Sequence, residues 1–432
     1  MKKEFCRYIF PAMFSFLLSG IYSIVDGIFV GNAVGDDGLA AINIAWPLVA
    51  LIISLGTGIG MGSSVVISLN RGAGNEEKAK KAEGNAFFLI LTGALGLLLL
   101  LAVSHTFLLK CMGARGIILT YGQQYLRILL AGAIAQISAS AMIPLIRNHG
   151  ASIFAMIAMA IGCVTNIVLD WIFVFELQLE LEGAALATVC GQVLTLVLCI
   201  GFYLRRQNRG VLRHLRPDAS LIRSIVKVGI SPFGLTYLPS ITIIFMNLQT
   251  LKFGGTAAVS AYAILAYILS FMELLIQGIS DGSQPLLSLS QGAGKTRELH
   301  TYRNWMFLLA LFFGAASGML TFLLKDWIPL LFGASPEAAS YIMDASLPIG
   351  IALFLYGFSK PAISYFYATH QIMPSTLMVY GEVVLTAGFI YLLPLFWELM
   401  GVWYTMPLVQ ITLCLIGGFF LKCKKPNTAD SL

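Results

Sequence analysis

The sequence predicts an all-α polytopic membrane protein, with twelve transmembrane helices in two six-helix lobes related by an internal repeat. The 432-residue chain is 58% hydrophobic and 11% charged, with a mean hydropathy of +0.84. Apolar runs of about 20 residues, the length that crosses the hydrocarbon, recur along it. The second half also repeats residues of the first. Because no water-soluble fold of this size can hide so much apolar surface, the composition excludes a soluble enzyme, a nucleic-acid-binding protein and a disordered chain.

The apolar runs define the twelve helices. Their predicted ranges are 8–30, 39–69, 85–109, 118–142, 152–175, 183–204, 223–250, 256–290, 304–325, 338–359, 374–396 and 400–421. The helices that begin near 39 and 256 are too long for one perpendicular crossing and should tilt or extend into water. The first run contains Pro11 and Asp26 and has no small-residue cleavage site, so we interpret it as a membrane helix and not as a signal peptide.

The basic residues predict the orientation. With the N-terminus in the cytoplasm, 22 of the 27 Lys and Arg residues, Lys360 among them, lie in inside segments, and four lie outside. This asymmetry follows the positive-inside rule. It predicts a multi-pass protein of the plasma (cytoplasmic or inner) membrane with both termini cytoplasmic. Since topology accounts for the basic residues, we expect no nucleic-acid partner.

A shift of 220 residues aligns the chain with itself. Residues 41–74 match residues 261–294 at seven positions, and the turn Gly72-Ala73-Gly74 recurs as Gly292-Ala293-Gly294. Since each half has six helices, both halves enter the membrane from the same side. The repeat is therefore predicted to be parallel, with a pseudo-twofold axis along the membrane normal.

The repeat also predicts the domains. They are an N-lobe at 1–204, a cytoplasmic linker at 205–222 that carries five arginines, and a C-lobe at 223–432. Two six-helix lobes with a cleft between them are typical of transporters that work by alternating access.

The apparent motifs of soluble enzymes in this sequence are incomplete. Gly294-Lys295-Thr296 resembles the end of a phosphate-binding loop, but position 289, where that motif needs glycine, is leucine. The alternating glycines at 56–62 lie within an uncharged helix and indicate close helix packing. The seven cysteines form no CxxC pair, and neither HExxH nor a nucleophile elbow occurs. We therefore expect no enzyme activity and no cofactor.

Two acidic residues of the N-lobe are the leading functional candidates, because ionisable groups at membrane depth are costly. Asp26 and Asp170 lie at similar depth in two helices that both run from inside to outside, and Asn166 shares the helical face of Asp170. Such a pair can hold one proton between its members, or bind Na⁺ with amide and hydroxyl oxygens. The alternative for each carboxylate is a position at the outer interface.

The C-lobe carries other acidic residues. Glu273 lies in the middle of its helix and is predicted to face the cleft, whereas the sequence leaves the roles of Asp281, Asp344 and Glu382 open. Several further side chains are candidates to line a cavity for bulky apolar cations, with packing or lipid-facing roles as the alternative. They are Tyr22, Tyr237, Met246, Tyr262 and Asn247, the last of which is the second-half counterpart of Asp26 at a shift of 221.

An ordered set of motifs resembles the multidrug and toxic compound extrusion (MATE) transporters over essentially the whole chain. The motifs are Pro11, Val25-Asp26-Gly27-Ile28-Phe29-Val30-Gly31, Gly35, Leu39-Ala40-Ala41, Pro47, the repeated Gly-Ala-Gly turn, Asn166-Ile167-Val168-Leu169-Asp170 and Gly183-Ala184-Ala185-Leu186-Ala187-Thr188. They are similar to the prokaryotic drug-efflux branch.

The resemblance implies a secondary antiporter that exports organic cations or amphipathic drugs in exchange for H⁺ or Na⁺. It places the coupling ion at Asp26, Asn166, Asp170 and Thr188, with Asp26 and Asp170 as ligands if the ion is Na⁺. We expect no cofactor beyond this ion, and we expect a monomer whose partners are small-molecule drugs and the lipid bilayer. The alternative is a flippase of the same superfamily for lipid-linked oligosaccharides or other lipids. A receptor or a membrane enzyme with this fold is less favoured.

Overall fold

The computed structural model describes residues 1–205 and 216–423, and these ranges contain helices and no strand. The helices are α1 (Lys2–Val34), α2 (Asp36–Gly72), α3 (Glu76–Cys111), α4 (Gly116–Ala131), α5 (Ala133–Asn148), α6 (Ser152–Asp170), α7 (Glu180–Arg205), α8 (Ala219–Gly292), α9 (Thr296–Leu323), α10 (Ile328–Leu331), α11 (Pro336–Ala368), α12 (Ile372–Leu392) and α13 (Pro394–Cys423). A π-helical segment, Trp171–Glu176, follows α6 directly.

The helices give twelve membrane crossings, as the sequence predicts. Ten helices of the described ranges are long and apolar enough to span a bilayer, and α4 with α5 forms one further span that is bent by 58°. The 74-residue α8 supplies two crossings, because Gly255 has a φ of 64° and breaks the helix. An unbroken helix of that length would extend about 110 Å, far beyond the ~30 Å hydrocarbon core.

Residues with positive φ recur at the predicted spacing of 220. The matching pairs, with their φ angles, are Gly35 (74°) and Gly255 (64°), Gly74 (80°) and Gly294 (65°), Gly113 (97°) and Gly333 (63°), Gly150 (76°) and His370 (61°), and Gln178 (54°) and Glu398 (47°). Glycine adopts such a φ without steric cost, which explains its presence at the break that follows α1 and again at the break within α8. Both halves of the chain therefore reverse direction at equivalent positions.

The chain divides into two compact units. The N-unit comprises Lys2–Tyr237, and the C-unit begins at Leu238. The division falls within α8, about five turns after its start. Most of the predicted linker, residues 206–215, lies outside the described residues, and the domain boundaries at 204 and 223 stay predictions.

The glycines of α2 determine the packing of the N-unit. Gly56 and Gly60, one turn apart, face α5, where added Cβ atoms would lie 2.5 Å from the carbonyl oxygens of Ile137 and Ala141 respectively. Gly58 lies on the opposite face, where an added Cβ would be 3.0 Å from the carbonyl oxygen of Gly229 on α8. Two glycine stripes thus let α2 contact two neighbouring backbones directly, which confirms the interpretation of the alternating glycines as packing residues.

The start of α8 is held within the N-unit by a polar contact and a cap. The side-chain oxygen of the buried Asn85 on α3 accepts a hydrogen bond from the backbone N–H of Asp218, at 2.8 Å. Asp218 in turn accepts hydrogen bonds from the Ser220 hydroxyl (2.6 Å) and from the backbone N–H groups of Ser220 (2.9 Å) and Leu221 (3.2 Å). These bonds stabilise the carboxylate and lower the pKa of Asp218.

We expect Gly60→Ala to lower the free energy of unfolding by about 1–3 kcal/mol, because its Cβ meets only the backbone of Ala141 and the two helices must separate. Gly96→Ala on α3 is the matched control, since no atom lies within 4 Å of the added Cβ and alanine favours a helix. Denaturant titration of the purified proteins in lipid nanodiscs measures both. Equal stability of the two variants would contradict the close contact of α2 with α5.

Candidate functional site

The N-unit contains a pair of adjacent carboxyl groups. Asp26 on α1 and Asp170 at the end of α6 lie within hydrogen-bonding reach of each other. Asp170 is fully buried, and within the described chain neither of its oxygens, nor Oδ1 of Asp26, has a hydrogen-bond donor. Two ionised carboxylates supply no proton for a bond between them and repel each other. The pair therefore favours a shared proton or a bound cation.

Two further predicted residues complete this site. Asn166 lies one turn before Asp170, and its Nδ2 donates a hydrogen bond to Thr188 Oγ1 on α7 at 3.4 Å. The contact depends on close packing of α6 and α7, since a Cβ at Gly191 would lie 2.7 Å from the carbonyl oxygen of Gly162. The structure thus pairs Asp26 with Asp170 and Asn166 with Thr188, and the coupling-ion role that the family resemblance implies for these four residues stays a prediction.

The backbone changes its helical form directly after Asp170. Residues Trp171–Glu176 are π-helical, and the N–H of Leu177 bonds to the carbonyl of Ile172 at 2.9 Å. Phe175 of this segment meets Phe29 of α1 edge to face, with ring centroids 5.4 Å apart. Single π-helical turns are frequent at functional sites because they redirect side chains locally. No sequence pattern indicated this one.

Two tyrosines accompany the carboxylates. Tyr22, one turn before Asp26 on α1, and the buried Tyr125 on α4 both lie within electrostatic range of the two acids. Tyr22 is a predicted substrate-cavity residue, and the structure places it beside the predicted ion site. Sequence reasoning missed Tyr125, because nothing in its local sequence, Gln123-Gln124-Tyr125-Leu126-Arg127, relates it to Asp26 or Asp170.

The oxygens of this site suit a hard cation. Oδ1 of Asp26, both carboxylate oxygens of Asp170 and Oδ1 of Asn166 are all without a hydrogen-bond donor in the described parts of the chain. Oxygen ligands of this kind bind hard cations, and the carboxyl pair can alternatively hold one proton. No three His, Cys, Asp or Glu side chains of residues 1–205 and 216–423 converge on a metal position.

The C-unit has its own charged cluster, built around a lysine. Lys360 Nζ lies 2.9 Å from Glu273 Oε1 on α8 and 3.0 Å from Glu382 Oε2 on α12. Gln410 on α13 donates to Glu382 Oε1 at 2.8 Å, and Ser359 donates to the Gln410 side chain at 2.6 Å. The cluster therefore ties α8, α11, α12 and α13 together.

The position of Lys360 differs from the one expected from the sequence. The predicted helix ends at 359 and puts Lys360 in the loop that follows it, and this prediction is wrong. Helix α11 continues through Pro361 to Ala368, so Lys360 lies within the helix and is only 7% exposed. A buried ammonium needs a partner, and two carboxylates supply it.

The remaining predicted cavity residues have different surroundings. Met246 is fully buried in the C-unit, and the buried Tyr262 stacks on Trp403 with ring centroids 6.4 Å apart. Asn247 is half-buried, as is Tyr237, which packs its ring at 5.8 Å from Phe233 in the N-unit. Tyr262 lies within electrostatic range of Glu273. Whether these residues line a substrate cavity stays a prediction.

A third buried cluster lies near the ends of α2 and α5 in the N-unit. The buried Glu83 on α3 is 3.7 Å from the Arg71 guanidinium and contacts the ring Nε2 of His149. It also accepts a hydrogen bond from the Tyr203 hydroxyl at 3.0 Å. None of these residues was singled out from the sequence, because Arg71 and Glu83 occur in a segment rich in charges of both signs.

The comparisons with known proteins agree with this architecture. The sequence model of the MatE family matches residues 11–172 and again residues 235–392, which is the internal repeat. The chain belongs to the MatE family, the multidrug and toxic compound extrusion transporters. MatE proteins are transporters and not enzymes, and this chain is a multi-pass membrane protein.

Individual relatives extend the match over nearly the whole chain. The multidrug export protein MepA of Staphylococcus saprophyticus is 30% identical over 68% of this chain and 66% of its own length. MepA of Staphylococcus haemolyticus is 26% identical over 97% of this chain and 92% of its own. A solved structure of a MOP superfamily transporter from Pyrococcus furiosus, 24% identical, has the same fold, with a TM-score of 0.90 over 97% of this chain and 94% of that one.

In this MatE protein we expect Glu83→Gln to lower the free energy of unfolding by about 3 kcal/mol, because it leaves the Arg71 guanidinium and His149 without their buried carboxylate. Glu77→Gln is the control, since the Glu77 side chain is 77% exposed in an i,i+4 pair with Lys81. Its loss should change the stability by less than about 0.5 kcal/mol. Denaturant titration compares the two, and a Glu83→Gln variant as stable as the control would show that the cluster contributes nothing to the fold.

Proposed function

We propose that this protein is a secondary active multidrug antiporter. It exports organic cations or other amphipathic drugs in exchange for H⁺ or Na⁺ by alternating access. The observation that carries the proposal is the Asp26–Asp170 pair, two adjacent carboxyl groups in which Asp26 Oδ1 and both oxygens of Asp170 have no hydrogen-bond donor in the described chain. The two staphylococcal relatives, whose names describe multidrug export, support drugs as the cargo.

The carboxyl pair couples the ion to the transporter through its charge. Without an ion the pair carries two negative charges, and one proton or one Na⁺ reduces this to one. Asn166 and Thr188 supply further oxygens for Na⁺, and no other cofactor takes part. The charge change acts where α1 meets α6 and its π-helical continuation, so ion occupancy alters the packing of α1. Linkage then makes drug affinity depend on the ion, with a reciprocal coupling of about 1–3 kcal/mol.

The substrate side of the proposal rests on the C-unit. Glu273 is 27% exposed, in contrast to the buried Lys360 that it contacts, and Tyr262 lies nearby. A partly exposed carboxylate near aromatic rings suits an organic cation. Asn247 and Met246 of the C-unit are the further proposed contacts, and the role of Tyr22 and Tyr237 of the N-unit as cavity residues stays a prediction. The drug and the lipid bilayer are the partners of a monomer, and no nucleic acid is involved.

We expect a plasma-membrane protein with both termini in the cytoplasm, because the inside segments hold most of the basic residues. In a background without the native cysteines, a membrane-impermeant maleimide applied to intact cells should label Asp37→Cys, at the start of α2. It should not label Asn75→Cys, in the turn between α2 and α3, until the membrane is opened. Labelling of Asn75→Cys, but not of Asp37→Cys, in intact cells would show that the topology is the reverse of the one predicted.

We expect Asp26→Asn and Asp170→Asn each to abolish drug exchange against an ion gradient while leaving a folded protein, because the amide mimics the neutral, ion-occupied carboxyl group. Efflux from proteoliposomes, with imposed pH and Na⁺ gradients tested separately, and equilibrium drug binding are measured on the same preparations. Asp37→Asn, an exposed acid at the start of α2, is the matched control and should transport normally.

The same assay discriminates between the proposals. Gradient-driven efflux that survives in both Asp26→Asn and Asp170→Asn would move ion coupling out of the N-unit. A wild-type protein that exchanges no cation under either gradient, but translocates lipid-linked saccharides, would establish the flippase alternative.

A further inference from the structure

The lysine of the C-unit has an unusual charge environment for a site proposed to accept cations. Lys360 Nζ contacts both Glu273 (2.9 Å) and Glu382 (3.1 and 3.0 Å), and it lies 5.0 Å from the centre of the Tyr356 ring. The protein thus already places an ammonium group between two acids and against an aromatic ring, which is the environment that recognises organic cations. With all three groups ionised, the cluster carries one net negative charge.

The two acids are not equivalent. Glu382 is fully engaged, since both of its oxygens bind Lys360 and Oε1 also accepts from Gln410. Within the described chain the Glu273 carboxylate has one polar contact, from Oε1 to Lys360, and its side chain is 27% exposed, against 15% for Glu382 and 9% for Lys360. Glu382 therefore neutralises Lys360 inside the protein, and the uncompensated charge resides on Glu273, the more accessible carboxylate.

Aromatic residues extend this environment. Tyr262 and Tyr356 both lie within electrostatic range of Glu273, and Tyr262 stacks on the fully buried Trp403. The Trp403 indole N–H has no acceptor in the described part of the chain. Aromatic faces near a carboxylate favour a delocalised or quaternary cation over a neutral compound.

We propose that Lys360 is a specificity-determining residue, a built-in counter-ion that sets the charge of the substrate. It cancels one of the two carboxylates, so the C-unit accepts an organic cation with a single positive charge at Glu273 and disfavours dications. This inference rests on the proposed export of cations and adds the charge of the substrate and the residue that sets it.

The charge count makes a specific prediction for a set of variants. Glu382→Gln leaves Lys360 and Glu273, with a net charge of zero, so it should weaken binding of a monocation although Glu273 is unchanged. Lys360→Met leaves two carboxylates and should shift preference towards a dication. The double variant Lys360→Met with Glu382→Gln carries one negative charge again and should regain the preference for the monocation. Each shift should be roughly tenfold in affinity, the size of one partly desolvated charge contact.

The probes are tetraphenylphosphonium, a bis-triphenylphosphonium alkane and triphenylphosphine oxide, which carry one, two and no positive charges on similar aromatic groups. Their dissociation constants are measured by calorimetry on the full-length protein in nanodiscs at one pH and one salt concentration. Lys360→Arg keeps the charge and should keep the wild-type preference. Lys252→Met, which removes an exposed lysine of the C-unit, should change nothing.

The outcomes separate this inference from the proposed function. If the wild-type protein binds and exports the monocation but the ratio of dication to monocation affinity is the same in all variants, Lys360 is purely structural and the inference fails alone. If the wild-type protein binds neither cation, both fail. If Lys360→Met does not fold, the test is the comparison of Glu382→Gln with the double variant. Equal affinity of these two proteins for the monocation overturns the inference. A higher affinity of the double variant for the monocation supports it.

Discussion

The cost of a charge in an apolar interior is the constraint on which the functional parts of this protein depend. Three acidic clusters meet that cost in two ways. Glu83 is compensated by the neighbouring Arg71 and His149, and Glu382 is compensated by Lys360. The Asp26–Asp170 pair has no counter-charge in the described chain, and the proposed H⁺ or Na⁺ would compensate it. The first cluster stabilises structure, whereas the last can respond to the ionic conditions.

Backbone packing positions these charges, and glycine makes the packing possible. Where Gly162 and Gly191 meet, α6 and α7 approach closely enough for Asn166 to reach Thr188, beside Asp170. In a bilayer the hydrophobic effect does not drive helices together, so close van der Waals contact through small residues has to do so. The glycines are therefore as necessary to the proposed ion site as the side chains that form it.

The sequence predicts those features that depend on the pattern of apolar residues and on the depth of a residue in the membrane. Asp26 and Asp170 were paired because their helices run in the same direction and place them at similar depth, and the repeat was visible because turns and glycines recur. Lys360 was misplaced because hydropathy locates the end of an apolar run and not the end of a helix, and α11 continues beyond that run. The proximity of Tyr125 to Asp26 and Asp170, and the π-helical turn after Asp170, depend on tertiary packing. A local sequence pattern does not indicate such packing.

The two halves share their turns but not their charges. Positive φ angles recur at a spacing of 220 residues, yet at that spacing Arg303 is the counterpart of Glu83, and Asn247 is the counterpart of Asp26 at a shift of 221. Backbone geometry is constrained in both halves by the need to reverse direction at the same points, whereas side chains were free to diverge. An ion site in one half and a lysine-compensated carboxylate in the other share no residue. The proposed exchange of an ion for a drug would therefore operate through a change in conformation, since the carboxylates proposed to bind the ion and the drug are different residues.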